Sequence, residues 1–100
     1  MDYKYVTTFW EDFSIAEIYG IASIDETAKR AFSEWKSDII YLTELVMVLN
    51  HKCWYYYNLG DEVLSQHYSD LYYKYDELAL NYLEEYGSKE DINYYYKTLD

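Results

Sequence analysis

The side chains that could do chemistry are few and poorly placed for it. The 100 residues include two histidines and one cysteine. His51 follows Glu44 by seven positions and His67 precedes Asp70 by three, the two His and acid pairings at helical spacing. A carboxylate di-iron bundle needs Glu-x-x-His on two helices and two further glutamates. No Glu-x-x-His occurs, so the pairs read as a polar flank and a surface pair instead of metal ligands. Cys53 lies two residues from His51, which on a helix turns them about 200° apart and prevents a nucleophile and base dyad. Neither a Gly-rich phosphate loop nor Gly-x-Ser-x-Gly is found. The expectation is a protein without catalytic residues, metal or cofactor.

Tyrosine and acid set this chain apart. There are sixteen tyrosines, twelve of them between Tyr55 and Tyr96, including the triplets Tyr55–Tyr57 and Tyr94–Tyr96. Three consecutive positions on a helix point three ways, so at least one tyrosine of each triplet faces water or a partner. Tyrosine gives large contact area at low entropy cost and is enriched at binding hot spots. Residues 61–100 also hold ten acids against three lysines. Within them Asp70, Tyr73, Glu77, Leu80 and Glu84 fall on one line of a helix, opposite its apolar seam. That line is the candidate partner-binding face: spaced carboxylates with two exposed apolar contacts, able to imitate a phosphate backbone in a basic cleft of another protein.

The elements that position this face are all helices. Tyr41–Asn50 is the longest nearly unbroken apolar run, and Leu42, Val46, Leu49 and Cys53 recur at steps of four, three and four, as on one helix face. Ile40, Met47 and Trp54 lie on another side. A helix apolar around most of its girth must be covered by several neighbours. Asp38 is its expected N-cap and Gly60 its left-handed C-cap, with Glu44 and His51 its polar exceptions and Cys53 a packed thiol. Asp61 then caps a six-turn helix on which Leu64, Tyr68, Leu71, Tyr75, Leu78 and Tyr82 form the seam, ending at Gly87. The tight Asn58–Asp61 turn makes these two an antiparallel hairpin.

Capping boxes of the Ser/Thr-x-x-Glu kind place the remaining starts. Thr8 with Glu11 and Ser14 with Glu17 put a short first helix between Phe9 and Tyr19, closed by Gly20; the segment up to Thr8 reads equally as an extended arm or a helical lead-in. Ser23 with Glu26 starts a second helix that buries Ile24, Ala28, Ala31, Phe32 and Trp35. Its outer side, Lys29, Arg30 and Lys36, reads as a solvated face, with Asp25–Lys29 and Glu26–Arg30 as local pairs. Ser88 with Asp91 caps a last helix carrying Ile92, Tyr95, Tyr96 and Leu99. The expectation is an all-α, single-domain bundle of four to five helices over residues 1–100 around a long central buried helix, more than ~60% helical where an average protein is about a third.

Composition narrows the partners. A net charge of −11 and pI near 4.4 argue against direct nucleic-acid binding, which needs clustered Lys and Arg, and against anionic membranes. The Met1–Val6 stretch has no signal-peptide pattern and no window approaches the ~20 apolar residues of a span, so a cytoplasmic protein is expected. The apolar share of 51% is ample for a core and excludes disorder.

Asp12–Glu17 with Gly20, Thr27 through Arg30–Phe32 to Glu34–Lys36, and above all Tyr41–Asn50 with Lys52 and Trp54 resemble a family of small all-helical proteins encoded in gut Firmicute genomes and their mobile elements. The likeness covers most of the chain; Glu90–Asp100 is richer in tyrosine than the family pattern. It carries over no site residues. A mobile-element setting implies a role against host defence or in element control. The expected function is therefore a non-enzymatic acidic module, an inhibitor or regulator that mimics nucleic acid to occupy a basic protein surface. The alternative is a homo-oligomeric structural module, such as a homodimer.

Overall fold

A computed structural model describes residues 3–99, with side chains from Thr8 onward. Among the described residues 91% are helical. Its helices are α1 (Tyr3–Tyr19), α2 (Ile21–Trp35), α3 (Ile39–Leu59), α4 (Glu62–Tyr86) and α5 (Lys89–Leu99).

Helix α3 is the axis of the bundle and touches each of the other four. Leu42 through Leu49 are buried without a break, Thr43 and Glu44 included, because neighbours cover every side of the rod. Its ends lie where the sequence places them. Asp38 Oδ1 accepts from the Ile40 and Tyr41 N–H groups at 3.0 and 3.4 Å, and Gly60 closes the helix at φ 83°, a left-handed conformation open to glycine at little cost. Asp61 Oδ1 in turn accepts from Leu64 N–H at 3.0 Å and starts α4. Ser88 and Asp91 form a reciprocal capping box at the start of α5, where Ser88 Oγ accepts from Asp91 N–H at 3.1 Å.

The contacts also give direction. Phe9 meets Tyr41, Trp10 meets Lys52 and Glu17 meets Tyr56, so α1 runs parallel to α3. Asp25 meets His67 and Phe32 meets Tyr75, so α2 runs parallel to α4. The first four helices thus alternate up and down, and α5 folds back so that Tyr95, fully buried, donates to Asp76 Oδ1 at 2.6 Å. A single cluster of buried residues from all five helices forms the core. No helix of the described residues is long and apolar enough to cross a membrane.

Several expectations are corrected. The first helix is not short: it starts at Tyr3, so the lead-in is helical from there, while Met1 and Asp2 lie outside the described residues. Ser14 and Glu17 are therefore in mid-helix and cap nothing. Helix α2 begins at Ile21, before Ser23, and its first carbonyl acceptor is Gly20, which takes the Ser23 and Ile24 N–H groups at 3.1 and 3.2 Å; no side chain caps it. The seam of α4 runs Tyr68, Leu71, Tyr75 as expected and then Ala79 and Leu83, leaving Leu78 largely exposed. Strict alternation of four and three drifts around a straight helix of 3.6 residues per turn, and a step of four restores the buried face. Glu44 is not an exposed exception on α3 but is enclosed, whereas His51 is exposed.

Candidate functional site

The expected binding face lies on the outer side of α4. Asp70, Tyr73, Glu77 and Glu84 are all exposed, Tyr73 at 67%. Leu80 is a correction: it turns toward the core and is half-buried against it, so the face carries one exposed apolar contact instead of two. The helix explains this, because Leu80 adjoins Ala79 and the buried line shifts toward it after Tyr75. Asp70 accepts from Gln66 Nε2 at 2.9 Å. Two of the flanking acids are drawn into the fold, Asp76 by Tyr95 and Asp91 by its capping box. Asp61, Glu62, Glu85 and Glu90 remain exposed around the stripe.

The exposed tyrosines follow the reasoning from triplets. Tyr55 and Tyr57 face outward with Tyr56 half-buried between them, and Tyr94 and Tyr96 flank the buried Tyr95.

A second polar constellation lies inside the bundle and is not legible from local pattern. Lys52 is 1% exposed, and its Nζ donates to Glu17 Oε2 at 3.0 Å and to Ser14 Oγ at 2.6 Å while sitting 4.1 Å from the centre of the Trp10 ring. Tyr68 donates to the same Glu17 oxygen at 2.5 Å and Tyr56 to the other. Ser14 donates to the Trp10 carbonyl at 2.9 Å. Burial pushes the Lys52 ammonium below its ordinary value, and Glu17 pulls it part of the way back. Burial raises the Tyr56 and Tyr68 phenols far above theirs, and the Glu17 carboxylate adds to the rise by accepting from the neutral forms.

Ser beside Lys is a known nucleophile and base pairing, but its requirements run against this geometry. A general base must be neutral and accept the serine proton. Here Lys52 donates to Ser14, holds its charge against Glu17, and is roofed by Trp10. The cluster instead ties α1, α3 and α4 together. The signal for it in the sequence is a lysine within an apolar helix, Lys52, while the Ser14-x-x-Glu17 spacing that fits a cap serves this cluster instead.

The histidines also rearrange. His67 Nε2 is 2.6 Å from Asp25 Oδ1 on α2 and does not pair with Asp70. That contact also takes Asp25 from Lys29. Arg30 acts on Asp12 of α1, whose carboxyl is raised by burial and partly lowered again by that guanidinium. Cys53 is half-buried with Sγ 3.8 Å from Ser65 Oγ.

No family model, curated protein or solved structure matches this chain.

Proposed function

We propose that the chain is a non-enzymatic acidic binding module that sets the outer face of α4 into a basic cleft of a partner protein, the kind of cleft that otherwise holds nucleic acid. The observation that carries this reading is Tyr73, two-thirds exposed in line with the exposed carboxylates of Asp70, Glu77 and Glu84. A solvated helix face has no need of an aromatic ring there, whereas a docking face uses one as its anchor.

Spacing sets the kind of mimicry. Asp70, Glu77 and Glu84 follow at intervals of seven residues, about 10.5 Å of helix each. Duplex DNA carries one charge per about 1.7 Å of axis. The stripe therefore supplies a field that steers and orients a basic partner, not a phosphate-for-phosphate copy.

The experiment is capture of host proteins on immobilised chain, comparing the natural sequence with Glu77→Lys/Glu84→Lys and competing with duplex DNA. A partner held by the natural chain, displaced by DNA and lost on the reversed bait supports the reading. Equal capture by both baits removes it.

A homo-oligomeric module is favoured by a different observation. Where the end of α1 meets the α3–α4 turn, Ile18 and Val63 are 80% and 71% exposed and Tyr19 and Leu59 nearly as open. Exposed apolar groups gathered at one end of a domain mark an interaction surface. Sedimentation velocity separates the readings: a dimer abolished by Leu59→Asp/Val63→Asp supports self-association through this end, and a monomer at all concentrations excludes it.

A further inference from the structure

The few basic residues of this acidic chain are not scattered. Eight Lys and Arg stand against nineteen acids, and three of the eight, Lys29, Lys36 and Lys74, line one groove between α2 and α4. Phe32, Tyr75 and Leu78 line it as well, with the Phe32 and Tyr75 rings edge to face at 5.5 Å. The groove is shallow and open to solvent, with a volume of about 400 Å³.

What surrounds the lysines is aromatic. Lys36 Nζ lies 5.7 Å from the Phe32 ring centre and 5.5 Å from that of Tyr82, and Lys74 Nζ lies 5.5 Å from that of Tyr75. The ion pairs among the described residues are Lys52–Glu17 and His67–Asp25, so no described carboxylate approaches these three ammonium groups within ion-pairing distance. The expected Asp25–Lys29 bridge is replaced by Asp25–His67. Lysines set beside aromatic side chains in one groove complement a compact ligand that is itself anionic and flat. Asp25 and Glu26 act on the Tyr75 hydroxyl, so the groove is acidic at that end. The ligand's charge belongs at the Lys36 and Lys74 end.

We propose that this groove binds a small organic polyanion bearing a flat ring, of the nucleotide class, its phosphates at Lys36 and Lys74 with Lys29 on the rim, and its ring on Phe32, Tyr75 and Leu78. On α4 the groove borders the acidic stripe, since Lys74 and Leu78 follow Tyr73 and Glu77. Phosphate charge alone and ring alone each satisfy half of it.

Titration calorimetry at low salt without magnesium tests this with three probes: adenosine triphosphate, adenosine and inorganic tripolyphosphate. The nucleotide binds at least about tenfold more tightly than either fragment, and Lys36→Gln/Lys74→Gln weakens it by about tenfold or more. The single change Lys29→Gln on the exposed rim weakens it too, which keeps the test open if the double variant folds poorly. Lys89→Gln/Lys97→Gln makes the same change in net charge away from the groove and leaves binding within about twofold. No binding of the nucleotide, equal affinity for tripolyphosphate, or equal weakening by the Lys89 and Lys97 changes would each overturn the proposal.

Discussion

Glu17 collects Lys52, Tyr56 and Tyr68 at one carboxylate. The pair is best tested by breaking it. Lys52→Ala leaves the carboxylate of Glu17 enclosed without its counterion and lowers stability by about 3 to 5 kcal/mol in urea unfolding. Lys52→Met with Glu17→Gln removes both charges and loses much less, since the Gln carbonyl still accepts from one phenol and its NH2 donates to the oxygen of the other. The tyrosines set an alkaline limit. In the unfolded chain a phenol ionises near 10.0, while Tyr68, Tyr95 and Tyr56 are held above that, first by burial and then by Glu17 or Asp76. The folded state therefore keeps protons that the unfolded state releases, so this stabilisation is full below pH 10 and lost as pH rises above it. Lys52 has the opposite slope, because its ammonium is lowered from 10.5 and its contribution improves as pH rises toward that value. Three phenols outweigh one amine, so the urea midpoint falls between about pH 9 and about pH 11. A midpoint that rises over that interval contradicts the assignment.

At the scale of the helices, caps and glycines fix the boundaries. Asp38→Ala removes the one oxygen that accepts from both the Ile40 and Tyr41 N–H groups and costs about 1 kcal/mol. Gly60→Ala costs a similar amount, about 1 kcal/mol, for a different reason: the added methyl meets nothing within 4 Å, but φ 83° is unfavourable for an L side chain. Gly87 is different again, at φ −84°, because a methyl there would lie 2.8 Å from the Leu83 carbonyl oxygen. Leu49→Asp places a charge at a fully enclosed site on α3 and abolishes the cooperative thermal transition followed by circular dichroism.

These elements also show which parts were legible beforehand. The bounds of α3 and the starts of α4 and α5 could be read because Asp38, Gly60, Asp61 and Ser88 act on backbone within a turn of themselves. Ser14 and Glu17 carry the same signature as Ser88 and Asp91, yet sit inside α1. What separates the two cases is Lys52, 38 positions from Ser14 and 35 from Glu17 and brought alongside only by the packing of α1 on α3. Leu80 departs from the expected outward line for a related reason, since the drift of the α4 seam depends on how the neighbouring helices cover its second half. The exposed line of Asp70, Tyr73, Glu77 and Glu84 needed only the period of one helix, and it stands.

For the molecule as a whole, the proposed role is recruitment of a basic partner by the field of the acidic α4 face, with Tyr73 as the anchor that holds it. Surface charges are screened beyond about 10 Å at 0.1 M ionic strength. Tyr73→Ala should raise the dissociation rate with little change in association, as loss of an anchor does. Charge reversal should act on arrival instead. The most direct measurement is the association rate of the captured partner for the natural chain and for Glu77→Lys/Glu84→Lys, by surface plasmon resonance from about 50 to about 500 mM salt. The account predicts that the natural chain associates more slowly as salt rises, and that the reversed chain is slow throughout and nearly salt-independent. Equal association rates for the two chains across the salt series would contradict it.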